Sequence, residues 1–470
     1  MTTPTLGAKA AAVSALLLMT AACASVPQPL LEARLGEAVA ERTGQTVERQ
    51  EAAAIEGQVA ALLAEPLDRD AALRIALAAN RSFQAEFAAL GVAAADYHAA
   101  LVVPNPVFDA ELLWPSGGGR PAWDLGLSQS VMALLTRSAR RAIAESTLEA
   151  RERESLERVL TLMHAVERAW VDAVTDTEVA ALLVTAVEVT AAGVDTAEAL
   201  HEAGNLPRID LVREQRLHAH TRLRAARAEA QAHASREALL RTLGLQEHTE
   251  HVLLPERLPS PPDVGDDVDA LERVTVTASL QLAALEAEIV AAARAARLAE
   301  GTALLPHLEL GLKAERERAG DWELGPGVEF SLPVFDRGQG RTARAIALLE
   351  QRRAAWWQAA VELRSEARVA ARELAWAAQD ARLAHETLLP LAGELLELTV
   401  RDWNAMLAGP FELLEARRGQ LDMALETLEA RRRQWRAQLA VEQLQRGARP
   451  AGHSADSSMT PVAVGRGGRH

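Results

Sequence analysis

The residues of this 470-residue chain that could do chemistry are few in kind and poorly spaced for it. Its one cysteine, Cys23, follows Thr20-Ala21-Ala22, at the end of an apolar run from Ala10 to Ala22 preceded by Lys9. The run is too short to cross a bilayer as a helix and closes on small residues, the layout of a secretory signal. A cysteine at that place suits a thiol that receives lipid after the chain is cut before it. Residues 1–22 are therefore expected to be a signal peptide and Cys23 a lipid attachment site, a palmitate-bearing lipoprotein terminus; ordinary cleavage after Ala24 is the other reading. Without a second cysteine, neither an internal disulfide nor a thiolate metal cluster can form. Twelve histidines are scattered, and His218 and His220, two apart, diverge on a helix. No HxxxH, HExxH, GxSxG, P-loop or GxGxxG occurs. The many carboxylates lie on helical stretches, where they read as solvated faces or ion-pair partners. No metal, cofactor or catalytic constellation is expected, so any energy must come from a partner. A net charge of −15 without a basic run argues against nucleic acid.

The elements that carry information are two strand pairs. Leu308, Leu310 and Leu312 alternate with His307, Glu309, Gly311 and Lys313; after a charged loop, Val328, Phe330 and Leu332 alternate with Glu329 and Ser331. Side chains on a strand alternate between faces, so each arm has one apolar and one polar face. Arms of about nine residues suit a tilted strand crossing a bilayer. An apolar outside and a polar inside is the pattern of a transmembrane barrel wall, while a half-buried hairpin on a soluble core is the plainer alternative. An earlier segment repeats the arrangement more weakly. Phe108, Ala110, Leu112 and Trp114 share a face opposite Asp109 and Glu111, and Leu125, Leu127 and Val131 form the second arm, interrupted by Gln129. Phe108, Leu112, Leu308, Leu310, Leu312, Val328, Phe330 and Leu332 are the expected lipid-facing residues. Although aromatics make up only 3% of the chain, Phe108, Trp114, Trp123, Trp322, Phe330 and Phe335 gather in these segments, as at membrane interfaces.

The rest reads as helix, with Ala, Leu, Glu and Arg abundant. A long helix is expected from Thr136 to about Leu200, with a seam at Val159, Met163, Val166, Trp170 and Val174. It breaks at Gly204-Asn205-Leu206-Pro207 and returns from Arg208 to about Leu243. A second long helix runs from Thr342 to Met406, with Leu388, Leu391, Leu395 and Leu398 as its seam and Pro390 as a kink. It breaks at Leu407-Ala408-Gly409-Pro410 and returns from Phe411 to Gln445. No later apolar run of eighteen residues is found, so no transmembrane helix is expected. The halves align at an offset near 200 residues: Ser82-Phe83-Gln84 with Ser279-Leu280-Gln281, Gly126 with Gly327, Gly204 with Gly409. This duplication gives the expected organisation: a signal peptide at 1–22, an N-terminal segment at 23–66, and a first repeat at 67–250 with its hairpin at about 105–132. A Pro-rich linker at 251–268, a second repeat at 269–447 with its hairpin at about 304–335, and a disordered tail at 448–470 complete it.

From Leu30 to Gln445 these residues resemble the outer-membrane efflux protein family, the TolC-like exit ducts of Gram-negative bacteria. The resemblance is carried by LPVFDRGQGRTARA (Leu332 to Ala345), the Asn80-Arg81-Ser82 helix start, and the paired segments GNLPRIDLVREQ and AGPFELLEARR. The first hairpin departs from the pattern, with SVMALLTRSARR where the second has SLPVFDRGQGR. The resemblance implies a mainly α chain with a small transmembrane β part, built of two tandem repeats of helix, β-hairpin, long helix and helix. It implies a homotrimer whose twelve strands close one β-barrel above a coiled-coil, α-helical periplasmic tunnel. Independently, four strands cannot close a barrel, and an open sheet edge is not tolerated in lipid, so the chain must oligomerise.

By the same resemblance, this is a lipid-anchored outer-membrane protein extending into the periplasm. It would be the passive channel of a tripartite efflux system, working with a periplasmic adaptor (membrane fusion) protein and an inner-membrane efflux pump. The tips Gly204, Asn205, Leu206, Pro207, Ala408, Gly409 and Pro410 would meet the adaptor, and Arg208, Asp210 and Glu412 are candidate gate latches. A periplasmic coiled-coil lipoprotein scaffold without channel activity is the alternative.

Overall fold

The computed structural model describes residues 28–45, 52–114, 116–245, 252–261, 268–317 and 320–450. The expected signal peptide, Cys23 and the tail beyond Pro450 lie outside the described residues. Helices α1 (Gln28–Thr43), α2 (Ala52–Leu62), α3 (Arg69–Ala79) and α4 (Arg81–Leu101) lead to strands β1 (Val107–Leu113) and β2 (Ala122–Ser130). A short α5 (Val131–Leu135), the long α6 (Arg137–Glu202) and the returning α7 (Arg208–Leu243) follow. The second half repeats the series with α8 (Val268–Ala278), α9 (Leu280–Gly301), β3 (Leu308–Arg316) and β4 (Trp322–Phe330). It ends with α10 (Gln339–Leu383), a π-helical turn (Ala384–Leu388), α11 (Leu389–Asn404) and α12 (Pro410–Gln445). Helix α6 has 66 residues, and α10, the π turn and α11 together match it. Helices α7 and α12 have 36 residues each. At 1.5 Å per residue, α6 is about 100 Å long.

Capping fixes how the halves correspond. Asn80 starts α4 by accepting from the Ser82 N–H at 2.7 Å, and Ser279 starts α9 by accepting from Leu282 at 3.2 Å. The equivalent of Ser279 is thus Asn80, two positions from the sequence alignment with Ser82, because capping geometry and not residue identity sets the phase. Each returning helix ends on a left-handed glycine, Gly244 (φ +78°) and Gly447 (φ +92°). A Cβ on Gly244 would stand 2.6 Å from Asn80 Cα, and one on Gly447 2.1 Å from the Ala278 carbonyl oxygen. The end of each returning helix therefore abuts the start of its repeat's second helix, α4 or α9. Asn80 Nδ2 also donates to the Thr242 carbonyl at 2.6 Å.

The main core lies where α3 and α4 and the ends of α7 and α12 surround α6. Val159, Met163, Val166, Trp170 and Val174, the expected seam, are all buried there. Trp170 Nε1 donates to the Leu67 carbonyl at 2.7 Å, and Trp435 Nε1 to that of Pro259 at 2.7 Å. His164 is buried alongside, and burial, then Arg168 and Arg446, pushes its pKa down to about 3. The described part of the Pro-rich linker is strapped onto this core. Leu67 N–H donates to Leu253 O at 2.8 Å and Arg431 to Leu258 O at 3.1 Å. Away from the core toward the long-helix ends, the helices stand in a row, α7–α6–α12–α11.

Three expectations need correction. Val131 is not a strand residue: Ser130 ends β2 and caps α5 through its Oγ, which accepts from Ala133 at 3.3 Å. Leu332 lies beyond β4, which ends at Phe330. At Pro390, the expected kink, the second long helix carries an irregularity: the π turn Ala384–Leu388 lies just before the proline and accommodates its missing N–H within a continuous helix. Finally, α6 does contain an eighteen-residue window of mean hydropathy 1.6. That window belongs to a much longer helix packed along α7 and α12, so length and composition alone produce the match.

Candidate functional site

The four strands form a single antiparallel sheet in the order β1-β2-β3-β4. Each hairpin pairs within itself, and the β2–β3 ladder joins the two halves, with Leu127 opposite Leu312 and Gln129 opposite Leu310. Residues directly opposite each other share a face, so the register extends the alternation of each strand across the sheet. One face collects Phe108, Leu112, Trp123, Leu125, Leu127, Leu308, Leu310, Leu312, Leu324, Val328 and Phe330. Most are exposed, Phe108 at 66%, Leu310 at 50% and Val328 at 61%. Nothing among the described residues covers them. Trp123 and Trp322 flank Arg316 at the loop end, and Phe108 and Phe330 mark the helix end. The span from Trp322 to Phe330 is about 26 Å along the strand, close to the apolar band of a membrane barrel. Arg316 beside two indoles can keep its stem apolar and its head at the water boundary.

The other face is acidic. Asp109, Glu111, Asp124, Glu309, Glu315, Glu323 and Glu329 lie on it, with Lys313 as the strands' one base there. Glu111 stands opposite Asp124, Asp124 opposite Glu315, and Glu315 opposite Glu323, a row of carboxylates across all four strands. Like charges directly opposite repel, and such a row is tolerable only where water and counterions reach it. Glycines leave room on this face: the Asp109 carboxylate occupies the space where a Gly126 side chain would be, and Gly311 lies against the Leu127 carbonyl. Near the helix end, His307 Nε2 stands 3.6 Å from Glu309 and 3.8 Å from Glu329. The outer edges of β1 and β4 have no strand partner among the described residues.

At the far end, the two helix reversals share one backbone solution. Gly204 N–H donates to His201 O and Asn205 N–H to Leu200 O; Met406 N–H donates to Trp403 O and Leu407 N–H to Asp402 O. This double closure is the Schellman motif, which places a left-handed residue just after the helix. In the first tip that residue is Gly204 (φ +78°). In the second it is Met406 (φ +59°), the described non-glycine residue with positive φ. The expected match of Gly204 with Gly409 is therefore corrected: Gly409 has φ −86° and caps α12, with Glu412 Oε2 accepting from its N–H at 2.9 Å. Met406 is 93% exposed. Only its spacing from Gly204, equal to that between the helices, could have singled it out in the sequence.

The expected latches act locally. Asp210 accepts from Arg213 at 2.7 Å, one turn away on the same helix, and Glu412 serves the cap. Arg208 opens α7 without an ion pair among the described residues. The contact that does join the two returning helices was not singled out: Arg418 Nη2 donates to Glu214 Oε2 at 2.6 Å, both 17% exposed. The pair crosses α6 at Gly193, where a Cβ would meet the Arg418 guanidinium at 2.9 Å and the Glu214 carboxylate at 3.0 Å. Arg224 and Asp422 make a second, looser link at 3.6 Å. Among the described residues, no three His, Cys, Asp or Glu side chains gather as metal ligands.

Neither a protein-family model nor a curated protein matches the chain. Solved structures do match it in fold. The outer-membrane channel OprN superposes with a TM-score of 0.66 at 16% identity, covering 88% of this chain and 96% of its own. The Campylobacter jejuni CmeC outer membrane channel gives 0.64 at 13% identity, with 84% and 86% covered. The open state of the Neisseria gonorrhoeae MtrE outer membrane channel gives 0.63 at 15%, with 80% and 88% covered. The fold is that of these outer-membrane channels: mainly helical, with a small antiparallel sheet.

Proposed function

We propose that this chain is the protomer of an outer-membrane efflux duct. Three copies close a twelve-stranded barrel from their four-stranded sheets and a helical tunnel from their rows of helices. The duct is passive and not an enzyme. Its cargo comes from an inner-membrane pump through a periplasmic adaptor that meets the two tips, and Cys23 adds a lipid anchor. The observation that carries this reading is the sheet: apolar on one exposed face, acidic on the other, and open at both edges. In lipid, an open edge leaves backbone N–H and C=O groups unsatisfied at several kcal/mol each, and pairing β4 of one copy with β1 of the next removes both edges. The acidic face then lines water, and its field favours cations. A scaffold lipoprotein would have no use for such a sheet. At the tips, the Glu214–Arg418 pair holds the two returning helices together, which makes it a stronger latch candidate than Arg208, Asp210 or Glu412.

The test is export by cells that depend on this chain, with outer-membrane fractionation and heat-modifiable oligomer migration as controls. Gly409 has ordinary φ and open space around its Cα, so Gly409→Trp is expected to leave membrane insertion and oligomer unchanged while export stops. Full export with a tryptophan at Gly409, or a chain that fractionates with the soluble periplasm, would contradict the proposal.

A further inference from the structure

We propose that the junction between the strands and the long helices is a docking surface for anionic phospholipid headgroups of the leaflet facing the periplasm. This rests on the duct reading and goes beyond it, because the duct needs lipid only against the strands, whatever its headgroup. The apolar face of the sheet does not stop where β4 ends. Leu332 follows at 72% exposure and Phe335 at 94%, with Val334 exposed between them. After β2, Leu134 and Leu135 of α5 are exposed in the same way. The other two connections, 101–106 and 301–306, bear no charge, and Val102, Leu304 and Leu305 are exposed there. An exposed apolar belt thus runs on from the sheet into the turns that join it to the helices, and contiguous exposed apolar surface marks a contact. In the duct the helices extend into the periplasm, which puts this belt at the leaflet on that side.

Beyond the belt the charge reverses. Residues 131–144 and 331–349 carry Arg137, Arg140, Arg141, Arg337, Arg341 and Arg344 against Asp336, in a chain whose net charge is −15. Asp336 is engaged in the turn, where its Oδ1 accepts from the Gly338 N–H at 2.8 Å. Arg141 pairs with Glu145 at 2.8 Å, and Arg140 donates to the Ala133 carbonyl at 2.6 Å. Arg137, Arg337, Arg341 and Arg344 are exposed and make no side-chain hydrogen bond or ion pair among the described residues. On α12, by contrast, Arg418, Arg432, Arg433, Arg436 and Arg446 are each held by a carboxylate. Helix stability does not explain the placement either. Arg137 and Arg341 fall in the first turns of α6 and α10, where the helix dipole disfavours a cation. A guanidinium holds a phosphate through paired N–H donors, and an anionic leaflet attracts basic residues set at its surface. Arginines just outside an apolar belt can lay their stems along it and reach the headgroups. Both repeats contribute, so the collar recurs around the whole barrel.

The full-length protein tests this after reconstitution into vesicles of phosphatidylcholine alone or of phosphatidylcholine with phosphatidylglycerol. The readouts are conductance and the temperature at which the heat-stable oligomer dissociates. Phosphatidylglycerol is expected to raise that temperature by several degrees, and high salt to cancel the rise. The combined Arg137→Gln, Arg341→Gln and Arg344→Gln variant should still oligomerise and conduct but lose the rise, whereas Arg222→Gln, on α7, should keep it. Lysines at the three positions should retain part of the rise, since charge remains and paired donation does not. No rise in the unaltered protein, or a rise that survives in the glutamine variant, overturns the proposal. So does a rise abolished by Arg316→Gln, which would place the headgroup contact at the loop end. Inorganic phosphate that produces the same rise in phosphatidylcholine vesicles assigns the arginines to a free anion and overturns the lipid. An oligomer lost in both kinds of vesicle when the arginines are replaced assigns them to contacts between copies instead. A protein that neither inserts nor conducts in either vesicle fails the duct reading itself.

Discussion

Adjacent residues on β3 are expected to respond oppositely to the same change. Leu310 lies on the exposed apolar face and Glu309 on the acidic one, one position away. An arginine at Leu310 would put a charge against hydrocarbon, costing about 2–4 kcal/mol near the midplane. An arginine at Glu309 would sit in water, opposite Glu329. Leu310→Arg should therefore reduce heat-stable oligomer in membrane fractions, while Glu309→Arg keeps it; equal losses would contradict the assigned faces. This alternation was legible in the sequence because a strand's period of two makes every residue report its face. Positions at strand ends were less legible. Leu332 continues the alternation yet falls outside β4, and Val131 does so yet begins a helix, because Ser130 caps it. Alternation says nothing about where hydrogen bonding stops.

At the scale of elements, the tips show what spacing can and cannot reveal. Gly-Asn-Leu-Pro and Leu-Ala-Gly-Pro both announce a helix reversal, and both reversals occur. The residue forced into the left-handed region is not given by the glycines, since Met406 takes that place in the second tip. A non-glycine residue there costs about 1–2 kcal/mol. Met406→Gly is expected to relieve that strain and raise the melting temperature, whereas Met406→Ala is not; equal effects would show that the backbone carries no strain. A strained, exposed methionine at a tip fits a contact surface, since strain persists where function holds it. The inter-helix latch was illegible for a different reason. Glu214 and Arg418 are far apart in the chain, and the missing side chain at Gly193 leaves them room to meet across α6.

For the whole molecule, duplication made the architecture readable. Matching helix lengths in the two halves leave one arrangement in which both hairpins lie at one end and both tips at the other. What no single chain displays is closure. Among the described residues its sheet ends in two open edges, and in the proposed duct further copies pair them. The central claim is that the acidic face lines a water-filled, membrane-spanning pore. The most direct measurement is current across a planar bilayer holding the purified protein, with a cysteine in place of Glu329 or, separately, of Val328. A cation-preferring conductance is expected, and a water-soluble, charged thiol reagent should change it at position 329 and leave it unaltered at 328. No conductance, or an equal response at both positions, would contradict the account.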